Sequence, residues 1–420
     1  MAGKDKLNVL CFGYNGVNNI GSEAKLATTL SEIRDVFGDR LGRIAVISQN
    51  EKEQRRYVKD PSVEIVEVGA LNVLTNRALT GGDFDILLLS EGSTFIDHFS
   101  PLFLAMFCFA GLIARKRGAK VVAYSNDCGH LGRTSQKLLR YTLNKLDLII
   151  LRNPDAMARM RQYGVTNPIE VTADGAYLYP TPSRQRMEAV WKRFDLDPSR
   201  KPIIGLACKE FFWWPIKPRL FGPREDLYNY PFYHSWTRDG IRSSQRYVDQ
   251  MAAYADWCVE RYDADIALIA MEHMDVPPSF QIRNHMKHHD RVKFVLSDDC
   301  DVDDIVSVLS ILKFQVTTRY HTTVLASPFA IPMISVSSDT RCEAVFREID
   351  MMEYFVDYVA HPESIPKVHD LYGMLVKLTD NLVKQETTMR ERLKDANEKF
   401  IERARKNPVI LKAWAEKAFS

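Results

Sequence analysis

The chain has 420 residues, with 56 Lys+Arg against 54 Asp+Glu for a formal net charge of +2, and 46% of it is hydrophobic. That mixture excludes a disordered chain, a collagen-like repeat and a disulfide scaffold, and the charge balance argues against a dedicated nucleic-acid binder. At about 150 residues per domain the length predicts two or three domains, each able to bury a core without staples.

Charges followed by a short apolar run open the chain, which predicts a first strand over Leu7–Phe12 and not a leader peptide. The turn-rich Gly13–Gly21 leads into helical spacing over Ser22–Phe37. Further strands are predicted at Arg43–Ser48, Val63–Val68 and Asp85–Ser90. Phe103–Lys116 reads as a core-packed helix, Lys120–Ser125 and Asp147–Arg152 as strands, Asp155–Tyr163 as a helix and Ile169–Thr172 as a strand. The longest apolar stretch, Phe99–Ala114, is broken by Ser100 and Pro101 and stops at Arg115. It falls short of the ~20 residues that cross a bilayer, so a soluble, cytoplasmic chain is expected. The seven cysteines, Cys11, Cys108, Cys128, Cys208, Cys258, Cys300 and Cys342, are scattered without zinc-finger spacing and read as reduced thiols.

The rhythm pauses at Tyr179–Arg186, and residues 181–200 are expected to be an interdomain linker. It then resumes with strands at Pro202–Cys208, Asp265–Met271, Val292–Leu296, Phe314–Thr317 and Met333–Ser337, and a helix at Val248–Tyr262. Such alternation implies parallel sheets covered by helices on both faces. The expected fold class is α/β, with Rossmann-like domains over residues 1–180 and 201–364 and a cleft between them. A charged helical tail over 365–420 is placed to pack back across the first domain. One segment departs from the average: Phe211–Trp236 holds ten aromatic residues and four prolines, which disfavour a regular helix or a central strand. It reads as a long functional loop or as a hydrophobic lid.

Candidate site residues gather where predicted strands end, because ligands of open α/β sheets collect there. Asn19, Gly21 and Ser22 stand at a helix start, where bare amides suit an anion, though the spacing matches neither GxGxxG nor a P-loop. Glu91, Ser93 and Asp97 close the segment SEGSTFID, and Asn126, Arg152 and Asp174 end further strands. Asp97 reads equally as a helix cap. Cys128 reads as a passive side chain sooner than as a nucleophile. Arg319 and His321 in TRYH suit an anion and a proton transfer, or else a structural ion pair and a helix cap. His285, His288 and His289 have helical spacing that suits either a metal or a solvated face.

In order, GYNGVNNIGSE, SEGSTFID, SNDCGHL, RNPDAM, TADGAYL and RYHTT resemble the successive motifs of the polysaccharide pyruvyl transferase family, and the likeness runs over roughly residues 8–358. The resemblance implies a GT-B-like pair of Rossmann domains and transfer of the pyruvyl group of phosphoenolpyruvate onto a sugar hydroxyl, giving a pyruvate ketal. No metal or organic cofactor is implied. By motif position His321 is the acid that protonates the donor methylene and Asp97 the base. Arg319, Lys209 and Arg341 are partners for the donor's phosphate and carboxylate, with Asn19, Gly21 and Ser22 beside them. Trp213, Trp214, Tyr230 and Trp236 of the aromatic loop are expected to stack on the acceptor, a sugar or lipid-linked glycan. The sequence departs from the family pattern at Ser22, Glu91 and Asn153, where Asp, Gly and Asp are usual.

Two other readings stay open at this stage: a GT-B-like glycosyltransferase or sugar-nucleotide enzyme, and a non-catalytic glycan-binding or scaffolding homologue. Nucleic acid is not an expected partner. The tail, with Lys384, Arg390, Arg392, Lys394 and Lys399 among several acids, reads first as a solvated helix face, with a peripheral membrane contact as the alternative.

Overall fold

Leu7, Val9 and Cys11 turn to one side of their strand and Leu10 and Phe12 to the other, and both sides are buried. A strand apolar on both faces belongs in the middle of a helix-covered parallel sheet. A computed structural model places it there, describing residues 5–69, 72–97, 100–209, 216–223, 227–229, 232–235, 237–360 and 365–420. The chain divides into two compact units, residues 1–179 with 399–420 and residues 180–398.

Unit 1 is built on a seven-stranded parallel sheet. Its strands are β1 (Leu7–Phe12), β2 (Leu41–Ser48), β3 (Val63–Glu67), β4 (Ile86–Leu89), β5 (Lys120–Asn126), β6 (Leu148–Leu151) and β7 (Glu170–Val171), in the order β3-β2-β1-β4-β5-β6-β7. Helices α1 (Ile20–Phe37), α2 (Glu51–Tyr57), α3 (Arg77–Thr80), α4 (Pro101–Lys116), α5 (Arg133–Leu143) and α6 (Pro154–Gln162) connect them. The strand order reverses between β1 and β4, so the loops after those two strands flank the topological switch point.

Unit 2 begins earlier than the sequence suggests. The stretch expected to be a linker forms helix α7 (Arg184–Arg193), capped by Ser183. Its Trp191 indole donates to the Ser307 carbonyl at 2.7 Å, and Arg186 and Arg193 reach Asp304 at 2.7 and 2.9 Å. The prolines at 180 and 182 precede the helix and do not extend into it.

The main sheet of unit 2 has six parallel strands: β8 (Ile203–Ala207), then, after the aromatic segment, β12 (Asp265–Ala270), β13 (Val292–Leu296), β14 (Leu312–Thr317), β15 (Met333–Ser337) and β16 (Phe355–Asp357). They lie in the order β13-β12-β8-β14-β15-β16, with the switch point between β8 and β14. The short strands β9 (Ile216–Pro218), β10 (Leu227–Asn229) and β11 (Phe232–His234) of the aromatic segment form a separate antiparallel sheet, and β17 (Val359–Ala360) pairs with β18 (Ile365–Pro366). Helices α8 (Arg238–Tyr262), α9 (Val276–His285), α10 (Val302–Leu309), α11 (Tyr320–Ala326), α12 (Thr340–Glu348) and α13 (Leu371–Lys384) complete the unit.

Two more helices end the chain, α14 (Glu386–Ala404) and α15 (Lys406–Ala418). The residues from 399 onward belong to unit 1. There Leu411 and Ala415 join the core of β1 and α1, and the Phe400 ring stacks on Tyr177 at 4.7 Å between centroids. Asn407 is fully buried, bonded to the Thr172 hydroxyl at 2.5 Å and to the Ala173 carbonyl at 3.1 Å. No helix among the described residues is long and apolar enough to cross a membrane.

Candidate functional site

In unit 1 the turn after β1 is shaped by Gly16, at φ +70°, where a Cβ would fall 2.0 Å from the Ser48 hydroxyl. Asn19 caps α1 by accepting the Ser22 amide at 3.1 Å, so this amide, one of those expected to face an anion, is already taken. Gly21 and Ser22 lie buried in the first turn. Behind them Glu23 accepts from the Gly16 amide at 3.2 Å and from the Gln54 side chain at 2.6 Å, and burial pushes its carboxyl up to about 8.

The ends of β4, β5 and β6 are tied by a buried ionic lattice. Arg152 donates through Nε to Asp127 at 3.0 Å and through Nη1 to Asp174, and all three side chains are inaccessible to solvent. Asp127 also accepts from Asn153 Nδ2 at 2.7 Å and from the Cys128 amide at 2.7 Å. Asn126 donates to the Glu91 carbonyl at 2.6 Å and to Thr94 Oγ1 at 3.0 Å, while the Glu91 carboxylate accepts from Ser93 N and Oγ, each at 3.2 Å. Asn126, Arg152 and Asp174, expected as lining of an open cleft, are fully buried and fix the strand ends against one another. Asp97 is half-buried and accepts the Gly132 amide at 2.9 Å, a contact of the capping kind that holds the start of α5.

Lys25, which the sequence reading passed over, joins this lattice. Its ammonium donates to the Ser125 carbonyl, and burial pulls it down to about 8 against the pull of Asp174. Cys128 is buried and its thiol is pushed far up by burial, so it is an inert side chain.

In unit 2 the ends of β8, β12, β14 and β15 carry the cations expected to hold the donor. Arg319 follows β14 and is the N-cap of α11. Its Nε donates to Asp275 at 2.8 Å, its Nη2 reaches the other Asp275 oxygen, and Glu272 lies 2.5 Å from Nη2. Burial acts to lower its pKa, but the two carboxylates outweigh that and hold the guanidinium charged. Burial also pushes Asp275 up to about 6, in spite of the attraction of Arg319. Arg341 forks onto Asp339, with Nε 2.8 and 2.9 Å from the two oxygens, and its guanidinium lies 5.9 Å from the Tyr320 ring.

Lys209 follows β8 and is buried, which lowers its pKa, with Asp339 opposing and Arg319 and Arg341 adding to the effect. His321 sits in the first turn of α11, 8% exposed, its ring 4.9 Å from that of Tyr320 in an edge-on arrangement. The sequence thus indicated Lys209, Arg319, His321 and Arg341, and the fold gathers them along one sheet edge. It missed Glu272, Asp275 and Asp339, whose signal was only that they too follow strands.

The three His of the 284–290 stretch share no helix face, because α9 ends at His285. His285 pairs with Asp249 at 2.7 Å and His288 with Glu260 at 3.2 Å, both exposed. Among the described residues no group of three or more His, Cys, Asp or Glu is arranged to hold a metal. Trp213, Trp214, Tyr230 and Trp236 lie outside the described residues.

The family profile for polysaccharide pyruvyl transferases matches residues 24–340. The chain belongs to the polysaccharide pyruvyl transferase family. No curated protein sequence matches it significantly. Among solved structures it is similar to UDP-GlcNAc 2-epimerase from Neisseria meningitidis bound to UDP-GlcNAc, at TM-score 0.62 and 10% identity over 98% of this chain and 100% of that one. The UDP-GlcNAc 2-epimerase from Methanocaldococcus jannaschii matches at TM-score 0.54 and 12% identity over 89% and 91%. A glycosyltransferase from Rickettsia africae matches at 0.56 and 11% over 98% of each chain. These likenesses establish the two-Rossmann, GT-B-like fold of this pyruvyl transferase family member.

Proposed function

We propose that this member of the family transfers the pyruvyl group of phosphoenolpyruvate to a sugar hydroxyl of a glycan or glycan-lipid precursor. The observation that carries the reading is the Arg-x-His segment at the end of β14. It lies at the switch point of the unit 2 sheet, with Lys209 at the end of the neighbouring β8 and Arg341 beyond β15. In sheets of this kind small anionic ligands collect at that edge.

In the proposed reaction the His321 imidazolium gives its proton to the methylene carbon of the donor, which becomes a methyl group. The adjacent carbon becomes electrophilic and is attacked by a sugar oxygen, whose proton passes to a base, for which Asp97 is our candidate. The bond from that carbon to the phosphate oxygen breaks and phosphate leaves. A second hydroxyl of the same sugar then forms the other carbon–oxygen bond of the ketal and gives its proton to the departing phosphate, while the proton taken up by the base restores His321 through solvent. Lys209, Arg319 and Arg341 are our candidates for holding the donor's phosphate and carboxylate, which would share Arg319 with Asp275 and Glu272, and Arg341 with Asp339.

Purified protein incubated with phosphoenolpyruvate and candidate glycans tests this. Phosphate release is expected together with an acceptor mass gain equal to a pyruvate ketal, and His321→Ala is expected to lower the rate by about 10²-fold or more. Turnover of a nucleotide sugar with no response to phosphoenolpyruvate would replace this reading with a glycosyl or sugar-nucleotide reaction.

A further inference from the structure

Large apolar side chains exposed singly are ordinary on a protein surface, but a contiguous set beside charges of one sign is not. The outward side of α4 carries Leu102, Met106, Phe109 and Ile113 at helical spacing. Leu102 is 55% exposed, Phe109 44%, and the other two are half-buried. The helix runs into Arg115, Lys116 and Arg117, all exposed, of which Arg115 pairs with Asp147 at 2.8 Å. Helix α5 packs beside α4 and exposes Arg133, Lys137 and Arg140, followed by Lys145. Tyr141 stands among them, 55% exposed, with the Lys145 ammonium 3.9 Å from its ring centroid. Between Ser100 and Leu146 the sequence contains one acid, Asp127, and that one is fully buried.

We propose that α4 and α5 form the face by which this protein docks onto an anionic lipid surface. Leu102 and Phe109 enter the interface, while Lys116, Arg117, Arg133, Lys137, Arg140 and Lys145 lie over the headgroups. Leu, Phe and Tyr edged by cations, with no exposed acid along the segment from Ser100 to Leu146, is the composition of an interfacial face, and each cation near such a surface adds attraction. A protein partner fits less well, because the cores of protein interfaces are depleted in Lys and carry charges of both signs at their rims. The tail is the weaker candidate. In α14 the cations Arg390, Arg392, Lys394, Lys399 and Arg403 are matched by Glu386, Glu391, Asp395, Glu398 and Glu402. The inference is independent of the donor and of the reaction.

Cosedimentation of the full chain with phosphatidylcholine vesicles, with and without phosphatidylglycerol, tests it. The protein is expected to sediment with the anionic vesicles alone and to be released as salt rises. Lys137→Glu with Arg140→Glu, and separately Leu102→Ser with Phe109→Ser, are expected to weaken binding about tenfold or more while leaving the melting temperature unchanged. Lys394→Glu with Lys399→Glu is expected to bind like the wild type. The proposal is overturned if the wild type stays in the supernatant, or if the helix α5 variant binds equally well. It is also overturned if sedimentation velocity without lipid shows a dimer that Leu102→Ser with Phe109→Ser dissociates, since a second copy would then cover the face.

Discussion

Glu23, Lys25 and Glu32 are buried ionisable side chains within three turns of a single helix, α1. Nothing in the sequence marks them out, because a charge in an amphipathic stretch normally reads as solvated. Each is kept buried by a specific partner: Gly16 and Gln54 for Glu23, the Ser125 carbonyl for Lys25, and the Tyr124 hydroxyl at 2.9 Å for Glu32. Burial raises the carboxyls of Glu23 to about 8 and of Glu32 to about 7, and lowers the Lys25 ammonium to about 8. The sign of the linkage follows. A carboxyl that keeps its proton in the folded state but loses it near 4.5 when unfolded stabilises the fold at low pH. That contribution disappears as pH rises through 7 and 8. Lys25 adds no slope below 8, where it is protonated in both states. Stability of unit 1 is therefore expected to fall between pH 5 and pH 7, by about 1.4 kcal/mol per pH unit for each proton concerned. Urea denaturation at a series of pH values reads this, and Glu23→Gln should flatten the slope by about one proton. Stability that climbs over the same interval would mean that these carboxyls are ionised in the fold.

At the scale of elements, the strands were legible because their residues are apolar on both faces. Leu7–Phe12, Val292–Leu296 and Met333–Ser337 have the same bounds in the sequence reading and in the structure. Helix α8 starts at Arg238, ten residues before the expected Val248, because its first turns carry charge and Ser in place of apolar spacing. Helix α7 resembles a linker in sequence for a related reason: its packing rests on Trp191, Arg186 and Arg193, whose partners on and beside α10 are more than a hundred residues away. Motif order placed Arg319, His321, Lys209 and Arg341 on one sheet edge, but not the carboxylates that share it, since nothing local says that Asp275 will meet Arg319. The same blindness applied to the loop after β4. There the residue that replaces the family's usual glycine, Glu91, drew attention, while the retained Gly92 matters more for packing. A Cβ on Gly92 would lie 2.3 Å from Arg152 Nη1 and 2.8 Å from its Cζ. Arg152 cannot yield, because Asp127 and Asp174 hold it in a solvent-free setting. Gly92→Ala is thus expected to cost about 3 kcal/mol or more, by parting a buried ion pair from its partners. Equilibrium urea unfolding measures it, and a loss below about 0.5 kcal/mol would show that the Arg152 lattice has room to shift.

For the whole molecule, the consequential fact is that unit 1 is made from both ends of the chain. Residues 1–179 supply its sheet, and residues 399–420 supply the helical surface that covers one face of β1 through Leu411 and Ala415. The bond between Thr172 and Asn407 spans 235 residues of sequence, and Arg403 reaches back to the Thr172 carbonyl at 2.6 Å. Closing so long a loop adds little to the entropic cost once unit 2 has folded within it, because that cost grows only logarithmically with length. During synthesis, however, the first unit cannot complete its core until residues 399–420 emerge. Unit 2, wholly contained in residues 180–398, has no such dependence. Removing residues 399–420 is accordingly expected to act selectively. The face of unit 1 formed by Leu7, Val9, Cys11 and α1 loses its cover, and Asn407 no longer satisfies the Ala173 carbonyl. Uncovering this much apolar surface, at about 25 cal/mol per Å², removes several kcal/mol. Hydrogen exchange on the truncated chain should show amides of β1, β2 and α1 losing protection by about a hundredfold or more, while those of β8, β12 and β14 keep theirs. Equal loss in both sheets would mean that the two units fold as one cooperative body, and that the tail serves both.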